Sequence, residues 1–272
     1  LVGSKTRLVA IIGSPIAQVK SPDNFNDYFA GAQKDAAMIA IDLLPENVAD
    51  FVKTVRGWQN FDGFVVTIPH KNAVAELVDE LSPTAQFLGT ANVVRRHPDG
   101  RLSADMTDGV GFLGATRLHG FEPEGKAVFM VGAGAAGSAI GYAVAESGVA
   151  QLIIHDRNPE RAFDLAARLK TAFPQVDIAA EALPNRAFDL VINASSSGMK
   201  ADDPLPVPEA ILELLPQDAL VADVVTSPKM TPLLIAAAQR NLKIQTGEEM
   251  AKAQLFALGQ VMGVIPGEQI ND

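Results

Sequence analysis

No cysteine occurs in the 272 residues, so neither disulfide bridges nor thiolate chemistry can contribute, and a reducing cytoplasm is the expected setting. Positive charge is also scarce. Lysine and arginine number 22 against 32 acidic residues, a net charge of −10, and no long basic run occurs. That balance argues against nucleic acid and against anionic membrane surfaces as partners. No apolar run approaches the roughly 20 residues that span a bilayer, and residues 1–7 read as neither a signal nor a transit peptide. The four histidines, at 70, 97, 119 and 155, are scattered without ligand spacing, so no metal is expected. Internal repeats and low-complexity segments are lacking too. What is there, 48% hydrophobic and 20% charged residues, is ordinary for a globular chain with a substantial core. The length favours about two domains.

The most informative stretch is 126–157. Residues 126–131 form an apolar run of strand type that leads into Gly132-Ala-Gly134-Ala-Ala-Gly137, then into an alanine-rich helical segment, 138–147. A second β-branched run, 151–154, stops at His155-Asp156. This is the order that a dinucleotide fingerprint requires. Gly132 permits the tight turn, Gly134 lets the backbone approach a pyrophosphate, and Gly137 lets helix and strand pack. Free N–H groups at the helix start favour phosphate. Asp156, nineteen residues beyond Gly137, stands where a carboxylate accepts from both ribose hydroxyls. A glycine-rich loop alone is usually only a loop. Strand, helix, strand and terminal acid together indicate a dinucleotide site.

Elsewhere, residues 7–12 read as a strand, and Ser21 is placed to cap a helix with Pro22 in its first position. Residues 36–44 are strand-like. Pro45 opens a helix with Val48, Phe51, Val52 and Val55 on its apolar face, and a β-rich run spans 61–68. The pattern predicts an amphipathic helix over 72–81, and residues 92–96 and 101–105 flank His97-Pro-Asp-Gly100, a hairpin signal. A helix from Gly109 precedes the glycine stretch, whose strands continue at 176–180, 190–194 and 220–225. The expected fold class is α/β with two domains, an N-terminal α/β domain and a Rossmann-type doubly wound parallel sheet. The final helix, 248–262, can pack on either domain.

Several side chains are candidates for chemistry, each with an ordinary structural reading beside it. Lys71 follows a strand end and Pro69 at the mouth of a sheet, where α/β proteins place ligands. It also reads as a solvated lysine that starts a helix. Asp108 reads equally as a helix cap, and Ser21, Asn92 and Gln254 as local hydrogen-bonding side chains. Their order changes the weighing, because the chain resembles the shikimate dehydrogenase family over nearly its whole length. The matching segments are Gly13-Ser-Pro-Ile-Ala with Lys20-Ser-Pro22, Val66-Thr-Ile-Pro-His-Lys71, Gly89-Thr-Ala-Asn-Val93 and Thr107-Asp-Gly-Val-Gly111. The glycine loop, Val191-Ile-Asn-Ala-Ser195 with Gly198-Met199, Asp223-Val-Val with Pro228 and Thr231-Pro-Leu-Leu234, and Gly247-Glu-Glu-Met250 with Gln254 follow in family order.

The resemblance implies a reversible hydride transfer between NAD(P) and a ring hydroxyl of shikimate, quinate or a related cyclic polyol or hydroxy acid, by a monomer or homodimer. Lys71 and Asp108 would be the catalytic pair, the lysine exchanging the hydroxyl proton and the aspartate orienting both. Asn92 and Gln254 would hold neighbouring hydroxyls, with Ser21, Thr67, Val19 and Thr226 completing the substrate pocket. Gly132, Ala133, Gly134, Ala135, Ala136, Gly137, Asp156, Arg157, Asn193, Ser195, Met199, Val224 and Gly247 would hold the cofactor. Residues 1–107 with 247–272 would form the substrate-binding catalytic domain and 108–246 the NAD(P)-binding domain, hinged about a cleft.

Departures from the family pattern carry information as well. Family members usually have serine at the position of Val19, histidine at Gln18, asparagine at Val65 and Met106, and tyrosine at Thr226. The serine pair and tyrosine grip the substrate carboxylate; here Ser21 stays, Val19 cannot donate, and Thr226 is too short. Each donor lost to a charged group costs ~1.5–3 kcal/mol, which predicts affinity for shikimate about a hundredfold lower or worse. The expected substrate is a shikimate or quinate relative with an altered far end. Asp156 replaces the asparagine of NADP-using members. A carboxylate there repels a 2′-phosphate and favours NAD. Arg157, which also reads as a solvated helix-entry residue, can pair with a phosphate and leaves NADP open. The altered pocket positions keep a second class in view, a non-catalytic NAD-binding or sensing protein.

Overall fold

Alternation of side chains sets the first strand. In β1 (Arg7–Gly13), Ala10 and Ile12 face one core while Val9 and Ile11 face another, as in a strand covered on both sides. The structure, a computed structural model, describes residues 2–181, 186–200 and 202–266. Its contacts divide the chain into one unit of Leu1–Thr107 with Gln254–Asp272 and another of Asp108–Ala253. Of the first domain expected from the sequence, Leu1 and residues 267–272 lie outside the described residues.

After β1 the first unit continues with α1 (Ser21–Gly31), β2 (Ala36–Asp42), α2 (Val48–Val55), β3 (Phe61–Val66) and α3 (Lys71–Leu77). Then follow β4 (Glu80–Leu81), α4 (Pro83–Leu88), β5 (Val93–Arg96) and β6 (Leu102–Asp105). These strands make a six-stranded sheet in the order β2-β1-β3-β5-β6-β4. It is mixed: β1 is parallel to β2 and β3, whereas β5 is antiparallel to both β3 and β6. One face buries Val48, Val52 and Val55 of α2 and Val74 of α3 against Phe61, Phe64 and Val66. The other buries Phe25 and Phe29 of α1 together with Leu258, Met262, Val264 and Ile265 from the C-terminal stretch.

The second unit runs α5 (Asp108–Leu118), β7 (Ala127–Val131), α6 (Ala135–Glu146), β8 (Gln151–His155), α7 (Pro159–Ala172), β9 (Asp177–Ala180) and β10 (Leu190–Asn193). It continues with α8 (Glu209–Glu213), β11 (Leu220–Asp223), α9 (Pro232–Gln239), β12 (Lys243–Gln245) and the start of α10 (Gly247–Met262). All strand pairs here are parallel, in the order β12-β11-β10-β7-β8-β9. This is the doubly wound order that the strand–helix rhythm predicts. The winding reverses between β7 and β10, and the carboxyl ends of those two strands define the crevice where such sheets bind ligands. Near-continuous apolar strands are required because helices cover the sheet. Phe129, Ile153, Val191 and Val221 pack with Ile211 and Leu212 of α8 and Leu233 and Leu234 of α9.

Three local expectations need correction. Ser21 does not cap α1: it is the first helical residue, and the N-cap position falls on Lys20, whose side chain makes no capping bond. The helix predicted over 72–81 ends at Leu77, because Glu80 and Leu81 pair with Ser103 and Ala104 of β6. Sheet pairing overrides helical periodicity there. Asp108 is itself the first residue of α5 rather than a cap ahead of Gly109. Among the described residues no helix is long and apolar enough to cross a membrane, and no three His, Cys, Asp or Glu side chains are grouped to hold a metal ion.

Candidate functional site

In the first unit the carboxyl ends of β1 and β3 and the amino end of the antiparallel β5 carry the residues of interest. Thr67, half-buried, follows β3, and its backbone N–H donates to Ile12 at 2.9 Å. Buried His70 lies with Nε2 2.7 Å from the Leu43 carbonyl and pins the turn that delivers Lys71. Lys71 opens α3, half-buried, with its carbonyl accepting from Ala91 at 3.0 Å. A cation at the end of a helix that favours anions gains nothing from the helix itself. Ser21 and Val19 are half-buried at the start of α1 and in the loop before it. Val19 packs against the core cluster that contains Val9, Val65 and Val93.

Asn92, 2% exposed, is fixed by a residue that the sequence did not single out. Its Oδ1 accepts from the Thr107 N–H at 2.9 Å and from the Thr107 hydroxyl at 3.3 Å. That same hydroxyl accepts from Gln254 Nε2 at 3.3 Å. Two amides far apart in the chain therefore meet on one buried threonine. Only the motif Thr107-Asp-Gly hinted at it.

In the second unit, Asp108 is 5% exposed at the start of α5. The glycine loop sits at the switch point. Gly132 has φ +110°, and a Cβ there would lie 2.7–2.8 Å from the backbone of Ala194 and Ser195, so the loops after β7 and β10 touch only because it is glycine. A Cβ on Gly137 would overlap the Gly132 carbonyl oxygen. Gly134 differs. It is the N-cap of α6 with φ −78°, and a Cβ there would meet no protein atom within 4 Å. Neither conformation nor packing within the chain demands glycine at 134, whereas a pyrophosphate on the uncapped helix end would.

Asp156 is half-buried at the end of β8, with Oδ2 accepting from the Ala133 N–H at 2.7 Å and Oδ1 from the Asn158 N–H at 2.8 Å. This carboxylate is thus tied to the glycine loop, and Arg157 beside it is exposed. At the end of β10, buried Asn193 donates to Ser197 O at 2.9 Å and to Asp223 Oδ1 at 3.1 Å, and its Oδ1 accepts from the Ser195 N–H and hydroxyl at 3.1 and 2.6 Å. Both amide protons are used, which fixes the orientation of Asn193. Asp223 also accepts from Val225 N at 2.9 Å and Thr231 Oγ1 at 2.7 Å. Burial pushes its carboxyl up from 3.8, and these donors oppose that shift without cancelling it. Val224 and Thr226 are half-buried beyond β11, Met199 is exposed, and Gly247 opens α10 where a Cβ would overlap the Val225 carbonyl. An uncapped helix end, an oriented carboxylate and a glycine with no internal reason fit a dinucleotide.

The comparisons agree with this geometry. Residues 11–94 match the model of a shikimate dehydrogenase substrate binding domain, and residues 115–207 that of shikimate / quinate 5-dehydrogenase. The chain is 38% identical over 255 residues to the shikimate dehydrogenase (NADP(+)) of Rubrobacter xylanophilus, covering 92% of this chain and 88% of that one. A ligand-free 5-ketofructose reductase of Gluconobacter sp. strain CHM43 has a similar structure, with TM-score 0.85, 28% identity, and 96% and 94% of the two chains covered. So has the quinate dehydrogenase of Corynebacterium glutamicum in complex with NAD, with TM-score 0.84, 26% identity, and 96% and 95% covered. The chain belongs to the shikimate dehydrogenase family and is an NAD(P)-dependent oxidoreductase of the shikimate/quinate dehydrogenase type.

Proposed function

We propose that the enzyme uses NAD in preference to NADP, with Lys71 and Asp108 as its catalytic pair, on a polyhydroxylated substrate whose far end differs from that of shikimate. NAD(P), when bound, would supply the hydride acceptor or donor. Lys71 Nζ takes the proton of the reacting hydroxyl as hydride leaves the same carbon, and gives it back in reduction. Asp108 orients the lysine and the hydroxyl by charge-assisted hydrogen bonds. Asn92 and Gln254 hold neighbouring hydroxyls, and Thr67 and Ser21 line the same pocket. On this reading the first unit binds substrate and the second binds the cofactor through the glycine loop, Asp156, Asn193, Ser195, Met199, Val224 and Gly247.

One observation carries the reading: Asn92 and Gln254 converge on Thr107 and present amides, which suit neutral hydroxyls rather than a charge. Val19, half-buried against Val65 and its neighbours, supports an apolar lining in place of a hydroxyl donor. The fold is shared by a quinate dehydrogenase and a 5-ketofructose reductase, which supports variation at the substrate's far end. Preference for NAD is supported by the Asp156 carboxylate held on the Ala133 N–H. The test is initial-rate oxidation of shikimate and quinate, each with NAD and NADP, followed by reduction of 5-ketofructose and related polyhydroxy ketones. Turnover with NAD and a poor KM for shikimate is expected. Ordinary family efficiency on shikimate with NADP would refute the altered pocket, and cofactor binding without turnover of any of these compounds would refute catalysis.

A further inference from the structure

Asp223, at the carboxyl end of β11, is a buried carboxyl group. It is 1% exposed, and its three donors, Val225 N, Asn193 Nδ2 and Thr231 Oγ1, suit an ionised carboxylate. Yet among the described residues no lysine, arginine or histidine pairs with it. Buried charges in proteins are ordinarily paired or bound to a cation. The place of Asp223 suggests where the missing charge comes from. In a doubly wound sheet the half with the glycine loop takes one nucleotide and the other half takes the second. Asp223 lies in that second half, β10–β12, where it accepts from Asn193 at the end of β10. The nicotinamide ring of the oxidised cofactor is positive, and that of the reduced cofactor is neutral.

We propose that Asp223 is a positioning residue for the nicotinamide half of the cofactor: it fixes Asn193 and Val225, and its buried carboxylate favours the oxidised over the reduced form. This rests on the reading that the second unit binds NAD(P), and it assigns a role to a residue outside the glycine loop. Thr231, which also accepts from Leu234 N at 3.3 Å, joins the start of α9 to the same carboxylate.

Asp223→Asn separates charge from shape. Its oxygen keeps Val225 N and Asn193 Nδ2 as donors, and its amide turns to Thr231 Oγ1, which can accept. Binding of NAD+ and of NADH to the full chain is measured by titration calorimetry. A charge pair ~10 Å apart at an effective dielectric constant of ~20 is worth about tenfold in affinity, so Asp223→Asn should weaken NAD+ about fivefold to tenfold and NADH less than about twofold. Asp223→Ser, neutral and small enough to admit a water, carries the same expectation and decides the matter should the first variant not fold. Thr231→Ser, which keeps the hydroxyl donor and with it the charge, should leave the NAD+/NADH affinity ratio unchanged. Wild type that binds neither form would overturn the cofactor reading itself. Binding by wild type with an unchanged ratio in the neutral variants would overturn the inference alone.

Discussion

Replacing Thr107 with valine tests the Asn92–Gln254 cluster at its centre. The change keeps the shape of a 3% exposed side chain and removes one oxygen. That oxygen donates to Asn92 Oδ1 and accepts from Gln254 Nε2, both at 3.3 Å. The backbone bond from Thr107 N to Asn92 Oδ1, at 2.9 Å, survives. A typical hydrogen bond contributes about 0.5–1.5 kcal/mol net, and two long ones together suggest a loss of about 1–2 kcal/mol. Urea unfolding would read this as a lower midpoint at constant slope. If Asn92 and Gln254 hold substrate hydroxyls, the same energy appears in kinetics. At about 1.4 kcal/mol per tenfold, KM for the substrate rises about fivefold to thirtyfold. The KM for NAD should stay put, and Thr107→Ser, which restores the hydroxyl, should recover both values. A valine variant within about 0.5 kcal/mol of wild type, the ordinary range of a neutral surface change, and with unaltered substrate KM would refute the reasoning.

Other consequences follow from the same structure. Asp156→Asn, measured as the ratio of kcat/KM for NAD and NADP, should move preference towards NADP; a constant ratio would remove Asp156 from cofactor choice. Gly134→Ala should keep stability within about 0.5 kcal/mol, since its Cβ meets nothing and its φ is ordinary, yet weaken NAD by about tenfold or more. Gly137→Ala, whose Cβ overlaps Gly132 O, should instead cost about 3 kcal/mol or more in thermal or urea unfolding. Lys71→Met should lower kcat by about a hundredfold to ten-thousandfold while calorimetry shows unchanged NAD binding.

Glu249 gives a pH dependence. Burial tends to raise its carboxyl, but the Thr246 N–H and hydroxyl, at 2.7 and 2.9 Å, and the nearby His119 outweigh burial and hold it below 4.5. A carboxylate lowered in the folded state contributes stability that is present above its unfolded value and lost as pH falls through the folded one. Wild type should therefore lose its advantage over Glu249→Gln on acidification below about pH 5. A stability difference between the two that stays constant from pH 7 to pH 4 would contradict this.

What the sequence disclosed follows from which interactions are local. The glycine loop, α6 and Asp156 were legible because turn, helix start and strand end each have a residue signature within a few positions. The rhythm of apolar runs likewise announced the parallel sheet, since strands covered on both faces must be apolar throughout. α4 was overlooked although Ser82 caps it, accepting from Ala85 N at 3.1 Å, and Pro83 follows in its first turn. Six residues are too few for a visible period. β12, with three residues, escaped for the same reason. Ser21 shows the opposite error: a capping signature was present, but the helix began one residue earlier than the cap requires. The motifs that hold Thr107 and Asp223 were visible, but the hydrogen bonds that join them to distant residues were not. Thr107 meets Gln254 across 147 positions, and Asp223 meets Asn193 across 30, so only the fold defines them.

The C-terminal contribution to the first unit has a consequence for biosynthesis. Leu258, Met262, Val264 and Ile265 belong to the same core cluster as Val9, Ile11, Phe25 and Phe29. A ribosome that has finished residues 1–107 has made every strand of that sheet, yet one of its two faces has only α1 over it and lacks the rest of its cover. All of 108–253 must emerge before that rest exists. The second unit is a single uninterrupted segment, with its core complete once β12 has left the exit tunnel. The unit translated first is thus the one whose hydrophobic face waits longest, and nascent chains stalled before residue 258 should be the forms that recruit chaperones most strongly.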